Sequence, residues 1–379
     1  MSGPSAEHGL PDWASSVMST RLSRRALLRR AAVYGGGVVG FGALSSLVAA
    51  CSTTGATTAK PLSSQATTKA VASAVTGKGL TPLSLQLNWL ENVEFAGILW
   101  ALSKGYYRDE GIDLTVAPEG PSTDPISLVV SGQADIGMES GGDSVVIARS
   151  KGLPVKSFAT DLQTDPSAWM TLGSSGITQM SQLRGKTVGL QASDLQEGPL
   201  ILGLGGLTTS DVTLRTVSFD PSVLVDHEVD AFSVFVTNEP ITLEQKGIAV
   251  NLIPWSSYGF AFYSDCFFAS DSTIAKNPAL LKAFVRATQR GWNDVFANPQ
   301  AAVGLVLQDY GHGTLVEAQQ LAELNAQIPL MRTSYTAQNG LLAVSSATWQ
   351  TGIDLLAKYN LISHSFEASE LCAEGFVAA

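Results

Sequence analysis

Hydrophobic positions along this chain switch spacing repeatedly, from every second residue to every third or fourth. Leu83, Leu85 and Leu87 alternate with polar neighbours, which predicts a strand. Phe95, Ile98, Leu99, Leu102 and Tyr106 then recur at helical spacing, punctuated by Gly105 and Gly111. "IDLTVAP" predicts the next strand, Pro125 to Val130 a helix, "ADIGME" a strand, "GDSVVIARSKG" a helix and "PVKSFAT" a strand. A second series starts near Gly176, with strands at Thr187 to Leu190, "TLRTVSF", "DAFSVFV" and "AVNLIPW" and helices at "SVLVDHEV" and "PITLEQKG". After Phe267 the pattern turns helical, with Leu281, Phe284, Val285, Thr288, Trp292, Val295 and Phe296 on one face, and 314–359 predict further helices. Asn277-Pro278 and Asn298-Pro299 each predict a helix cap followed by Pro in the first turn. Alternating strands and helices imply βαβ units and mostly parallel sheets. The chain therefore reads as an α/β protein of two lobes. Residues 81–171 begin lobe 1, 172–266 form lobe 2, and a helical return, 267–379, packs on lobe 1. Hinge crossings are expected near 170–176 and 263–269.

The first 80 residues carry another kind of information. "SRRALLRR" places Arg24 and Arg25 in a sequence that resembles a twin-arginine export signal. The glycine-rich apolar run that follows suits a signal peptide better than a spanning helix. "LVAAC" resembles a lipobox, which implies cleavage after residue 50 and lipid on Cys51. Gly35, Gly37 and Gly40 fit G-x-G-x-x-G, but no strand precedes them, so the match is set aside. Residues 51–80, rich in Ser, Thr, Ala and Gly, read as a flexible tether.

Composition narrows the partners. Hydrophobic residues make up 45% of the 379-residue chain, enough for a sizeable core. The net charge is −10 and the body has no long basic run, so nucleic acid is excluded as an expected partner. Removing a leader with Arg21, Arg24, Arg25, Arg29 and Arg30 against Glu7 and Asp12 would leave the body more acidic still.

Ligands of open α/β sheets bind beyond the carboxyl ends of strands. The loops expected there carry Asn88, Trp89, Glu94 and Phe95; Glu139 and Asp143; Asn238 and Glu239; and Tyr263 and Asp265. Each has an ordinary alternative: Trp89 and Phe95 as core, Glu94 as a helix-dipole acid, Asn238 as a cap, and Trp169 as packing at the first crossing. The body's arginines, at 108, 149, 184, 215, 286, 290 and 332, avoid these loops. A sulfonate or nitrate receptor needs donors to an anion. These loops offer carboxylate acceptors and ring faces, which suit a flat heteroaromatic rich in N–H groups.

The stretch "LQLNWLENVEFAGILWALSKGYYRDEGIDLTV" resembles the opening of the solute-binding proteins related to thiamine-pyrimidine biosynthesis proteins. "LVVSGQADIGM", "LRGKTVGL", "VTNEP" and "NPALLKAFVRATQRGW" match further pieces in order, across roughly residues 83 to 310. The resemblance implies a two-lobed type 2 periplasmic-binding-protein fold, an aminopyrimidine or riboflavin-like ligand in the cleft, and delivery to an ABC permease and ATPase. It implies no cofactor, no metal and no catalysis, and with the leader it implies an extracytoplasmic chain lipid-anchored to the cytoplasmic membrane.

Enzyme alternatives remain open at this level. Pyrimidine synthases related to the family use a Cys-rich motif, a Lys and a His; the body here has only His227, His312 and His364 and no Cys cluster. A desulfinase-like enzyme of the same fold would need a Cys nucleophile, for which Cys266 beside Asp265 is the candidate. Cys266 and Cys372 could also pair. A ligand sensor without a transporter is a third reading.

Overall fold

A computed structural model describes residues 79–119, 123–191 and 194–377. Arg24, Arg25, Cys51 and the tether lie outside the described residues. Two five-stranded sheets form the framework, with strand orders β2-β1-β3-β10-β4 and β7-β6-β8-β5-β9. The first contains β1 (Thr81–Gln86), β2 (Ile112–Ala117), β3 (Ile136–Gly141), β4 (Val155–Leu162) and β10 (Ser264–Ser270). The second contains β5 (Ser167–Leu172), β6 (Thr187–Leu190), β7 (Thr213–Thr216), β8 (Ala231–Phe235) and β9 (Val250–Pro254). In each sheet four strands run in the same direction, and the strand arriving from the other lobe, β10 or β5, runs antiparallel to both of its neighbours.

This assignment moves the lobe boundaries. Trp169 lies inside β5, hydrogen-bonded between β8 and β9, so the first crossing is 163–166, upstream of the expected 170–176. "SDCFFAS" is β10 of the first sheet, so the second crossing is 255–263 rather than 263–269. Both strands are buried along nearly their whole length because both of their faces are covered, which removes the alternation that marks a half-exposed strand. Asp165 N donates to Phe262 O at 3.0 Å, tying the two crossings together. Trp169, Trp255, Phe260 and Phe262 follow one another along them in tilted and edge-to-face contacts, with successive centroids 5.2, 5.7 and 4.7 Å apart.

The helical return packs on lobe 1 as expected. Helix α1 (Ala96–Ser103) crosses α2 (Pro278–Ala297) at close range. A Cβ on Gly97 would sit 2.3 Å from the Trp292 ring, and one on Gly291 would sit against the Gly97 carbonyl, so both positions need glycine for the approach. Helix α3 (Pro299–Asp309) starts as its sequence predicts, Asn298 Oδ1 accepting from Ala301 N at 3.2 Å; Asn277 makes no such side-chain cap before α2. Helix α4 (Glu317–Met331) runs behind the first loop, and α5 (Ser346–Lys358) packs on α6 (Gly142–Ser150). Among the described residues no helix is long and apolar enough to cross a membrane.

Candidate ligand-binding cleft

The pairing Ser264↔Gly141 and Ser264↔Leu162 sets the start of β10 level with the ends of β3 and β4. Ser167↔Phe235 does the same for β5 and β8 in the second sheet. Both crossings leave from these edges, so the carboxyl ends of the parallel strands face one gap. Side chains meet across it. Gln319 Nε2 of α4 donates to Asn238 Oδ1 at 3.1 Å. Trp89 meets Phe219, which follows β7, edge to face, with centroids 4.6 Å apart at 85°. Asp143 hydrogen-bonds Glu197, and burial, then Asp143, pushes Glu197 far above the carboxylate range.

The floor on the lobe 1 side is a set of acids. Asn88 follows β1 and donates from Nδ2 to Ser140 Oγ at 2.8 Å and to Asp265 Oδ1 at 3.0 Å. Asp161, near the end of β4, accepts from Trp292 Nε1 at 2.9 Å through Oδ1. Asn88, Asp161 and Asp265 are almost fully buried. Burial, then Asp265, raises Asp161. Burial raises Asp265 as well, partly opposed by hydrogen bonds from Asn88 and Glu94. Glu94 is raised by burial, then by Asp265 and Glu323. Asp265 has φ +52°, a left-handed conformation that a non-glycine residue adopts at a cost. Asn88 Oδ1, Asp161 Oδ2 and Asp265 Oδ2 are buried and have no hydrogen-bond partner.

The remaining expected residues divide. Glu139 borders the gap and is pushed up to about 8 by burial, then by Asp124 and Asp143. Asp143 bonds the backbone at the start of its own helix as well as Glu197, and burial raises it. Glu239 accepts from Gln191 Nε2 and Phe235 N, each at 3.0 Å, so both its oxygens are engaged within lobe 2. Glu94 and Trp89 keep part of their surface open. Phe95 does not: it is fully buried in the lobe 1 core. Tyr263 is also a core residue, against the Trp349 ring at 5.4 Å, and its hydroxyl accepts from Ser345 N at 2.9 Å. Neither offers a solute an open face, because each ring completes a packed layer. Cys266 is fully buried beside Thr160 and burial pushes its thiol well up, which opposes a nucleophilic role. Cys266 and Cys372 are both free thiols.

Sequence reasoning missed Asp161, Glu197, Phe219 and Glu323. A signal existed for Glu323. Gln320, Glu323 and Gln327 recur at spacings of three and four on α4 and are all buried. They hold the first loop: Gln320 Oε1 accepts from Val93 N, Glu323 Oε1 from Asn92 Nδ2, and Gln327 Nε2 donates to Val93 O. Asp161 stood as an acid within the apolar "SFATDL", a weaker sign. Among the described residues no group of three or more His, Cys, Asp or Glu is arranged to hold a metal ion.

Comparison with known proteins bears on this geometry. A family model described as "NMT1/THI5 like" matches residues 92–302, more than half of the chain. The chain belongs to the NMT1/THI5-like family. Among curated relatives, the riboflavin-binding protein RibY of Chloroflexus aurantiacus is 28% identical over 310 residues, 79% of this chain and 86% of that protein. The formylaminopyrimidine-binding protein of Halalkalibacterium halodurans is 26% identical over 258 residues, 67% of this chain and 78% of its own. A Legionella pneumophila 4-amino-5-hydroxymethyl-2-methylpyrimidine phosphate synthase is 28% identical over 233 residues, 60% of this chain and 73% of its own. Among solved structures, the alkanesulfonate-binding protein SsuA of Xanthomonas axonopodis pv. citri, bound to MOPS, superposes with TM-score 0.60 at 14% identity, covering 78% of this chain and 98% of that one. This NMT1/THI5-like chain thus has the two-lobed periplasmic-binding fold, and its strand-end gap occupies the position where open α/β sheets bind ligands.

Proposed function

We propose that this protein is the extracytoplasmic solute receptor of an ABC importer, lipid-anchored through Cys51, and that its solute is a small heteroaromatic of the aminopyrimidine or flavin type. The observation that carries this reading is the gap itself. Two lobes face each other through their strand ends, joined by two tied crossings, with Trp89 and Phe219 meeting at its mouth. That arrangement supports hinge closure over a bound molecule. The aromatic pair supports stacking on a flat ring. The names of the two binding-protein relatives support the solute class, and the leader motifs support export and anchoring at the outer face of the cytoplasmic membrane.

A synthase reading draws on the Legionella relative's name. The body carries no Cys cluster of the kind that reading needs, and the buried thiol of Cys266 speaks against the desulfinase-like alternative. Calorimetric titration with 4-amino-5-hydroxymethyl-2-methylpyrimidine, riboflavin and taurine tests the receptor. Binding of a ring compound without turnover is the expected result. Tight binding of taurine alone would overturn the solute class, and conversion of any ring compound would restore the enzyme reading.

A further inference from the structure

A second concavity lies outside the gap. It measures about 730 Å³ and opens on lobe 1, where α2 passes the end of α4 and the short helix Ser334–Asn339. No residue placed at the gap above lines it. The period of α2 builds one wall. Thr288, Trp292 and Val295 turn into the core, so Arg286, Arg290 and Asn293 stand on the opposite face. Gln289 Nε2 donates to Leu341 O at 2.7 Å, which fixes the facing loop against α2. Arg332, which follows α4, adds a third guanidinium. Three of the seven arginines beyond residue 80 thus border one cavity of an acidic chain. Ion pairing accounts for two of them in part. Arg286 holds Glu110 through Nε and Nη2 at 3.2 and 2.6 Å, and Arg290 holds Asp109 through Nη1 at 2.9 Å. Both pairs are partly exposed, and each guanidinium keeps unspent N–H groups, on Nη1 of Arg286 and on Nε and Nη2 of Arg290. Arg332 is exposed and has no acid or acceptor among the described residues; its guanidinium lies over Phe296, 5.5 Å from the ring centroid. Asp294 is the acid on the wall, and its Oδ2 is committed, accepting from Trp100 Nε1 at 3.2 Å and from the Tyr106 hydroxyl.

We infer that this cavity is a second binding site, for a phosphate ester, with Arg332 as its anchor and Arg286 and Arg290 as flanking cations. It is separate from the solute in the gap and does not depend on the receptor reading. The donor set selects the ligand. Guanidinium groups present N–H pairs in a rigid fork that matches oxyanions, and here three such groups border one space. A phosphate monoester brings three terminal oxygens and nearly two charges, so it can engage several forks at once. A carboxylate brings two oxygens and one charge, and Glu110 and Asp109 already fill that role at the rim. The volume lies within the range of small-molecule sites, about 300–1,000 Å³, and leaves room for the organic part of an ester. Phe296 and Leu341 supply apolar surface for it. A free phosphorylated solute and a phospholipid headgroup share this chemistry.

Charge-matched probes test the site by calorimetry on the full chain at low ionic strength and about pH 8, where a phosphate monoester is a dianion. The probes are glycerol 3-phosphate, malonate and monomeric dihexanoyl phosphatidic acid. Glycerol 3-phosphate should bind at least about tenfold more tightly than malonate, a dianion of planar carboxylates. Arg332→Ala should weaken it at least about tenfold, and Arg332→Lys should restore only part, because it returns the charge without the fork. Arg290→Gln gives an independent variant with the same direction of effect. Similar affinities for glycerol 3-phosphate and the short lipid would make a free phosphate ester the ligand. Preference for the lipid by about tenfold or more would make it a headgroup, since each buried CH₂ adds affinity. Silence from both phosphates, or malonate binding as tightly as either, would overturn the site. Phosphate binding that survives both Arg332→Ala and Arg290→Gln unchanged would overturn it too, by placing the anion elsewhere.

Discussion

Trp292 links the lobe 1 core to the floor of the gap. Its ring fills the space that Gly97 leaves, and its Nε1–H holds Asp161. Trp292→Phe keeps most of the packing but removes the donor, so both oxygens of a buried acid are left unpaired. The expected loss is about 1–3 kcal/mol in urea denaturation. Gly97→Ala drives a methyl into the ring and should cost a similar ~1–3 kcal/mol, read the same way. The residue scale is also where the sequence was hardest to read. Asn88 and Asp265 were visible as polar residues at strand ends, and they meet. Phe95 and Tyr263 had the same neighbourhood and composition but turn into the core, because whether a ring faces a gap or a layer depends on strands far away in the chain. Asp161 needed Trp292, 131 positions away, to mark it.

At the scale of elements, the parallel strands and the long α2 announced themselves through period, α2 also through Pro278 in its first turn. Strands β5 and β10 did not, since they are buried on both faces and lose the alternation that would name them. They are the strands that arrive from the other lobe, so misreading them shifted both hinge positions. Element α4 carries a buried polar stripe that fastens the first loop and reaches Asn238 across the gap. The aromatic contact at the mouth is likewise a property of two loops. A double-mutant cycle on Trp89→Ala and Phe219→Ala, read in ligand affinity, should show coupling of about 0.5–1.5 kcal/mol. Strict additivity would mean the pair contributes nothing to closure.

For the whole molecule, buried acid dominates. Burial pushes Glu139 and Glu323 up to about 8, and Asp165 and Glu239 up to about 7. These carboxyls bind protons more tightly in the folded chain than in the unfolded one. Their stabilising share is complete below the ordinary carboxylate range and is lost as pH rises through 7 to 8. The ligand-free protein should therefore melt at least ~5 °C lower at pH 8 than at pH 5 by calorimetry. An unchanged or rising melting temperature over that interval would show that the acids are not held protonated by the fold.

The edge-to-face meeting of Trp89 and Phe219 has a practical consequence. The two rings belong to different lobes and meet edge to face, so a hinge opening of the mouth would part them. An indole that gains or loses such a neighbour changes its emission and its near-ultraviolet dichroism. The protein therefore carries its own optical gauge of opening, and rapid mixing could time solute capture and release without any attached dye.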